Sequence, residues 1–354
     1  MQLNNDNPTI PKEEKQEGFG FLKGKDTKKL LLDGGLYLVL LILIAGIIIK
    51  EPSFLSFRNM RNILTQSSVR TILALGVAGI IVTQGTDLSV GRQVGLSAVI
   101  SATLLQAMTN VNKVFPNLDT LPIPVVILIV CVIGGFAGFL NGFVVAYLNV
   151  TPFVATLGSM IIIYGANSLY YDYVGASPIA GFSKSFTNFA QGYFTIGGFR
   201  FNYLIIYALL ALLFIWILWN KTTFGKNLFA VGGNPEAAKV SGVNVKKTLV
   251  LVYTLSGIFY AFGGMLEAGR VGSATNNLGN MYEMDAIAAC VVGGVSFSGG
   301  VGTVPGVLIG VIIFTVINYG LTFIGVNPYW QYIIKGVIIV MAVALDTLKY
   351  VKKK

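Results

Sequence analysis

Few side chains that could do chemistry stand inside the long apolar runs of this chain: Asp87, Arg92, Asn141, Glu267, Asp285, Asn318 and Lys335. Such groups are costly in oily surroundings. They are kept there for ion pairing, for relaying protons or ions, or for touching a polar solute in a wet cavity. Asp87, Asn141, Asp285 and Asn318 are the candidates for lining a path. Asp87 and Arg92 are five residues apart and are expected to pair, which would make them structural. Asn141 lies among Gly134, Gly135, Gly138 and Gly142, where small residues allow helices to approach closely. It should bond a neighbouring helix or face the path.

Enzyme chemistry has little to work with. The 354 residues include no histidine, hence no imidazole base or imidazole metal ligand. Cys131 and Cys290 each stand in an apolar run and read as packing residues. No metal-ligand cluster, cofactor motif or nucleophile–base arrangement is visible. A phosphate-binding P-loop needs Gly-x-x-x-x-Gly-Lys followed by Ser or Thr. Gly24-Lys25 is followed by Asp26 and has Phe19 at the first position; Gly225-Lys226 is followed by Asn227 and has Asn220 there. Any step driven by ATP therefore needs a second protein.

One loop offers a handle rather than chemistry. Asn234 is a good N-cap, Pro235 suits the first helical position, and Glu236 complements the positive helix end. Gly242 can take the left-handed position beyond the C-terminus. A helix of about two turns is expected, too short to persist unless it packs on something. Ala237, Ala238 and Val240 offer a small, smooth surface for that. A capped loop helix resting on its own protein and a docking helix for a partner fit these residues equally.

The elements that must hold these groups are membrane spans. The chain is 54% hydrophobic and only 11% charged, against about a quarter charged in soluble domains. Ten candidate spans lie near 30–49, 67–84, 93–109, 122–147, 151–168, 203–219, 248–266, 284–298, 304–324 and 330–347. Merging the short ones would give eight. The fold class is all-α and polytopic: a polar tail over 1–29, a membrane domain over 30–348 and a basic tail over 349–354. Glycine-rich breaks at 84–92 and 291–300 are expected to leave half-helices lining a cavity, because lipid cannot satisfy irregular backbone.

The net charge of +10 gathers in the N-terminal tail, the 220–248 loop and the C-terminal lysines. That distribution marks cytoplasmic segments, with both termini inside, rather than a nucleic-acid surface. The 169–202 segment, with only Lys184 and Arg200, should be external. Lys50, Arg58 and Arg61 in the first outer loop run against the rule. The outer segment is rich in aromatics, among them Phe182, Phe186, Phe189, Tyr193 and Phe194. They suit a membrane-interface belt, a landing surface for a partner, or both. A faint echo links 149–153 (NVTPF) with 325–329 (GVNPY); transporters are often built from inverted repeats.

Glu236-Ala237-Ala238, three residues, then Gly242 resembles the Glu-Ala-Ala-x-x-x-Gly loop of ABC importer membrane subunits. The stretches 85–91 (GTDLSVG), 148–158 (LNVTPFVATLG), 232–243, 263–270 (GGMLEAGR) and 291–306 are similar to the permeases of ribose, xylose and galactose importers. Ser273 to Asn277 and Asn318 to Gly336 are most like the galactose/methyl-galactoside group. The resemblance runs from about residue 30 to the end. It implies a translocation subunit in the bacterial inner membrane that works by alternating access. It further implies a homodimer, a separate ATPase subunit carrying two ABC cassettes, and a periplasmic sugar-binding protein. Asn234, Pro235, Glu236, Ala237, Ala238 and Gly242 would then dock on the ATPase. The competing class is an ion-coupled secondary transporter in which Asp87 and Asp285 are the coupling carboxylates.

Overall fold

A computed structural model describes the backbone of residues 27–197 and 199–351 and the side chains of 39–197 and 199–347. The rest of the polar tail 1–29 and the last three lysines lie outside the described residues. The helices are α1 (Thr27–Lys50), α2 (Phe57–Val82), α3 (Val90–Leu104), α4 (Ile123–Tyr147), α5 (Pro152–Tyr173), α6 (Lys184–Gln191), α7 (Tyr203–Lys221), α8 (Thr223–Gly233), α9 (Pro235–Val240), α10 (Val245–Val271), α11 (Tyr282–Val292), α12 (Val304–Phe323) and α13 (Pro328–Val351). A single 3-10 turn, Pro52–Leu55, joins α1 to α2. The strands β1 (Ile179–Ala180) and β4 (Ser273–Ala274) pair antiparallel, as do β2 (Tyr193–Ile196) and β3 (Phe199–Asn202). The fold is thus all-α apart from two small strand pairings.

Seven of the described helices are long and apolar enough to cross a membrane: α2, α4, α5, α7, α10, α12 and α13. With α1 and the shorter α3 and α11, ten helices stand where ten spans are expected. The two short ones follow the glycine-rich or polar breaks. α3 has 15 residues and α11 only 11, ending at Gly293 and Gly294 rather than running on to 298. α2 starts ten residues before its expected position. Arg58, Asn59, Arg61 and Asn62 interrupt the apolar run without interrupting the helix. Ser56 caps its first turn, and the Tyr319 hydroxyl takes a hydrogen bond from Asn62 Nδ2 (3.1 Å) while donating to Asn59 Oδ1 (2.9 Å).

From Ile72 to Val82, α2 is apolar on every face and buried, as a helix at the centre of a bundle must be. α10 packs antiparallel to it: Gly76 lies on Ser256 and Tyr260, and Gly79 on Val252. α10 also receives α4 along a glycine seam, where a Cβ on Gly134 or Gly138 would overlap the carbonyl of Gly257 or Tyr253. Close backbone approach of this kind needs small residues.

The order long, short, long, long recurs as α2–α5 (26, 15, 25 and 22 residues) and α10–α13 (27, 11, 20 and 24). The 149–153 and 325–329 echo sits at matching points of the two sets. Asn149 (φ +54°) and Gly325 (φ +72°) are both left-handed, and Pro152 and Pro328 both open the last helix. Because α2 and α10 run in opposite directions, the repeat is inverted.

Candidate functional site

α9 forms where the loop residues predict it. Asn234 Oδ1 accepts from Ala237 N–H at 3.0 Å, and Pro235 is the first helical residue. Gly242 takes φ +84°, and Val243 N–H returns to the Ala238 carbonyl at 3.0 Å, closing the C-terminus. The helix has six residues, somewhat under the expected two turns. Its expected docking face is split. Ala238 is buried against its own protein, whereas Glu236, Ala237 and Val240 are exposed, Val240 at 89%. Helical geometry forces the division, since Ala238 lies about 100° from each neighbour in the chain.

The root of α9 is fastened to the spans by contacts the sequence did not announce. Gln84, just past the end of α2, donates from Nε2 to the carbonyls of Gly232 (2.8 Å) and Ser298 (3.1 Å). Gly300 N–H donates to the Val82 carbonyl at 2.8 Å. A side chain on Gly232 would overlap that same carbonyl. The ends of α2 and α8 and the turn between α11 and α12 therefore meet in one knot beside α9. Ser296 Oγ and Phe297 N–H both donate to Asp346 Oδ2 (2.9 and 3.1 Å), which ties the turn to α13.

Two of the four expected path residues are brought together. Asp87 is fully buried in the break between α2 and α3, where its Oδ1 accepts from Ser89 N–H (2.8 Å) and Ser89 Oγ (2.5 Å). Asn141 Nδ2 and Gln93 Nε2 donate to the same Ser89 Oγ at 3.2 and 2.9 Å. The expected Asp87–Arg92 pair does not form. Arg92, in the first turn of α3, turns to the other side, stacking on Tyr164 and bonding Asn277 and Asn280. Among the described residues Asp87 Oδ2 makes no hydrogen bond, and neither does the buried Tyr260 hydroxyl near it.

Asp285 lies elsewhere, in an ion network. It accepts from Arg70 of α2 and from Lys335 Nζ of α13 at 2.9 Å. The Arg70 guanidinium stands 4.7 Å from the centre of the Tyr282 ring, and Tyr282 donates to Glu267 (2.6 Å), which also holds Arg270 through two contacts of 2.8 Å. Arg70 was legible as a charge inside an apolar run, a signal the sequence reading passed over. Among the described residues, Asn318 on α12 has both side-chain polar atoms buried without a partner, and Thr315 Oγ1 one turn away is likewise unbonded.

The five aromatics expected on the outside do not form one surface. Phe186 is fully buried under α6 against Phe182, so it cannot touch a partner directly. Phe189 stacks on Tyr207 and Phe194 on Phe201. Of the five, Tyr193 alone is exposed, with Arg200 over its ring. Residues of an amphipathic helix alternate between inside and outside, and composition alone does not say which face is which.

Residues 59–343 match a family profile described as branched-chain amino acid transport system / permease component. The chain belongs to this family of transport-system permeases: it is a transport component, not an enzyme. It is 71% identical to the galactose/methyl galactoside import permease protein MglC of Escherichia coli K12 over 92% of this chain and 96% of that protein. The same-named protein of Salmonella typhimurium is 72% identical over the same shares. The ribose import permease protein RbsC of Bacillus subtilis is 37% identical over 92% of this chain and 97% of its own. No solved structure matches.

Proposed function

We propose that this chain is the membrane-spanning subunit of an ATP-driven importer for galactose and methyl galactoside. The observation that carries the proposal is identity above 70% with import permeases of that name across almost the whole chain. The protein works as a homodimer in the bacterial inner membrane, with both termini cytoplasmic. A separate ATPase subunit with two ABC cassettes drives it, and a periplasmic sugar-binding protein feeds it. The lack of any P-loop in the sequence supports an external motor. So does a small capped helix with exposed Glu236, Ala237 and Val240, fastened at its root to three span ends. Movement of the ATPase would pass through α9 into α2, α8 and the α11–α12 turn and rock the cavity between outward and inward access.

The 193–202 hairpin, with Tyr193 and Arg200 exposed, is the part of the outer segment best suited to receive the binding protein. The ion-coupled alternative is disfavoured at Asp285, whose two oxygens are engaged by two cations. The test is co-purification and reconstitution. A tagged form in detergent should bring down a two-cassette ATPase. With that ATPase and the binding protein in liposomes, methyl galactoside should accumulate only when ATP is supplied on the ATPase side. Uptake that needs a sodium or proton gradient but no ATP would overturn the proposal.

A further inference from the structure

We infer that Arg92, Asn277, Asn280 and Tyr164 form a contact site for a neutral, hydroxyl-rich ring midway along the conducting path. The inference rests on the import reading above and adds to it the residues that touch the cargo. The Arg92 guanidinium lies 4.2 Å from the centre of the Tyr164 ring and donates to Asn280 Oδ1 (2.9 Å) and Asn277 Oδ1 (3.4 Å).

Depth gives this cluster its meaning. Tyr164 follows the start of α5 by twelve residues in a helix of 22, which places it about 18 Å along at 1.5 Å per residue, near the middle of a membrane-length helix. The segment between α10 and α11 descends to the same level. Gly279 lies against Gly91, the Leu278 carbonyl faces Gly95, and Asn167 Nδ2 of α5 donates to the Asn276 carbonyl at 3.2 Å. Here, then, is irregular backbone carrying three consecutive polar or amide positions at mid-span.

Asn277 and Asn280 are nevertheless exposed, and Tyr164 is 40% exposed. Hydrocarbon cannot satisfy such a surface. It must face water or the second copy of the homodimer proposed above, and the space between two copies at that depth is where a path would run.

The chemistry selects the ligand class. Among the described residues Arg92 makes no ion pair and the Nδ2 groups of Asn277 and Asn280 make no protein hydrogen bond, so donors are left over. The Oδ1 atoms of the exposed Asn277 and Asn280 each take one bond from Arg92 and keep a second lone pair as an acceptor. Free donors with a nearby acceptor suit hydroxyls, which both give and take hydrogen bonds. The half-exposed tyrosine supplies an apolar face for a ring. The Glu283 carboxylate lies against Gly91, next to Arg92, so the neighbourhood carries no net charge and has no preference for an anion.

Two measurements on the assembled importer in liposomes test the site, with methyl galactoside as probe. The double variant Asn277→Leu/Asn280→Leu, shown to copurify with the ATPase subunit as the wild type does, should lose uptake by about tenfold or more, as expected for two lost hydrogen-bonding amides. Independently, Asn280→Cys in a chain carrying Cys131→Ala and Cys290→Ala should react with a charged, membrane-impermeant thiol reagent, and excess methyl galactoside should slow that reaction several-fold. Wild-type uptake by the double variant overturns the site. So does a substituted position 280 that is inert to the aqueous reagent, or one whose labelling ignores the sugar. If the double variant fails to assemble, the labelling result decides. A wild-type complex that moves no methyl galactoside defeats the import reading itself, an outcome distinct from an indifferent variant in a transporting complex.

Discussion

At the scale of single residues, the costliest features are the charges set among apolar side chains. Asp285 joins three helices, because its partners Arg70 and Lys335 come from α2 and α13. Removing one member of a buried ionic group leaves the others without compensation, a loss of about 3–5 kcal/mol, whereas removing the group together costs far less. Asp285→Asn should therefore lower the melting temperature of the detergent-solubilised protein markedly. Adding Lys335→Gln to it should cost less than the sum of the two single changes, a coupling that a double-mutant cycle reads directly. Glu236 is the opposite case, an exposed charge with no ion-pair partner among the described residues. Glu236→Lys should leave insertion and abundance unchanged and weaken association with the ATPase by about tenfold or more, the scale of a lost charge contact at an interface. Sugar uptake should fall with it; quantitative pull-down and uptake measured on the same vesicles check both.

At the scale of elements, the working parts are those that fail as full spans. α3 and α11 are short, and each borders a break: 83–89 before α3 and 293–303 after α11. The first break holds the Asp87–Ser89–Asn141 cluster, and the second meets α2 and α8 at Gln84. The side chain of Gln84 is a rivet between two carbonyls from different elements, and its own left-handed backbone (φ +63°) shows how closely the turn is specified. Gln84→Leu removes both bonds, about 1–3 kcal/mol of local attachment, while leaving α9 and its exposed residues untouched. In the assembled importer this variant should still hydrolyse ATP and still bind the ATPase subunit, yet move several-fold less sugar per ATP. An unchanged ratio of sugar moved to ATP consumed would show that force passes by another route.

At the scale of the whole molecule, the chain is a bundle with a buried centre, α2 and α10, and a sparsely covered periphery, α4, α5, α7 and α13. The inverted sets α2–α5 and α10–α13 interlock within it, since α10 packs on α2 and receives α4 along the glycine seam. The sequence carries no P-loop. Purified and reconstituted alone, the protein should neither hydrolyse ATP nor accumulate methyl galactoside under a sodium or proton gradient. Uptake should appear only on adding the ATPase and the binding protein together, and omission of either component should abolish it.

Apolar run length and the capping residues of α9 were enough to predict an all-α membrane fold and a small helix at Pro235, and they left ten spans or a merged eight, between which the structure chose ten helices. These are local properties: hydrophobic length, helix capping and charge placement act within a few residues of chain. Pairing is different, because a side chain 200 residues away is invisible to local rules. Sequence spacing suggested that Asp87 pairs with Arg92; folding instead gave Asp87 to Ser89 and sent Arg92 to Tyr164, Asn277 and Asn280. The same holds for Phe186, an aromatic in an outer loop by composition and a buried core residue once α6 chose its inward face. Only the tertiary structure decides which polar groups satisfy each other and which are left facing water, since that depends on which helices come to lie side by side.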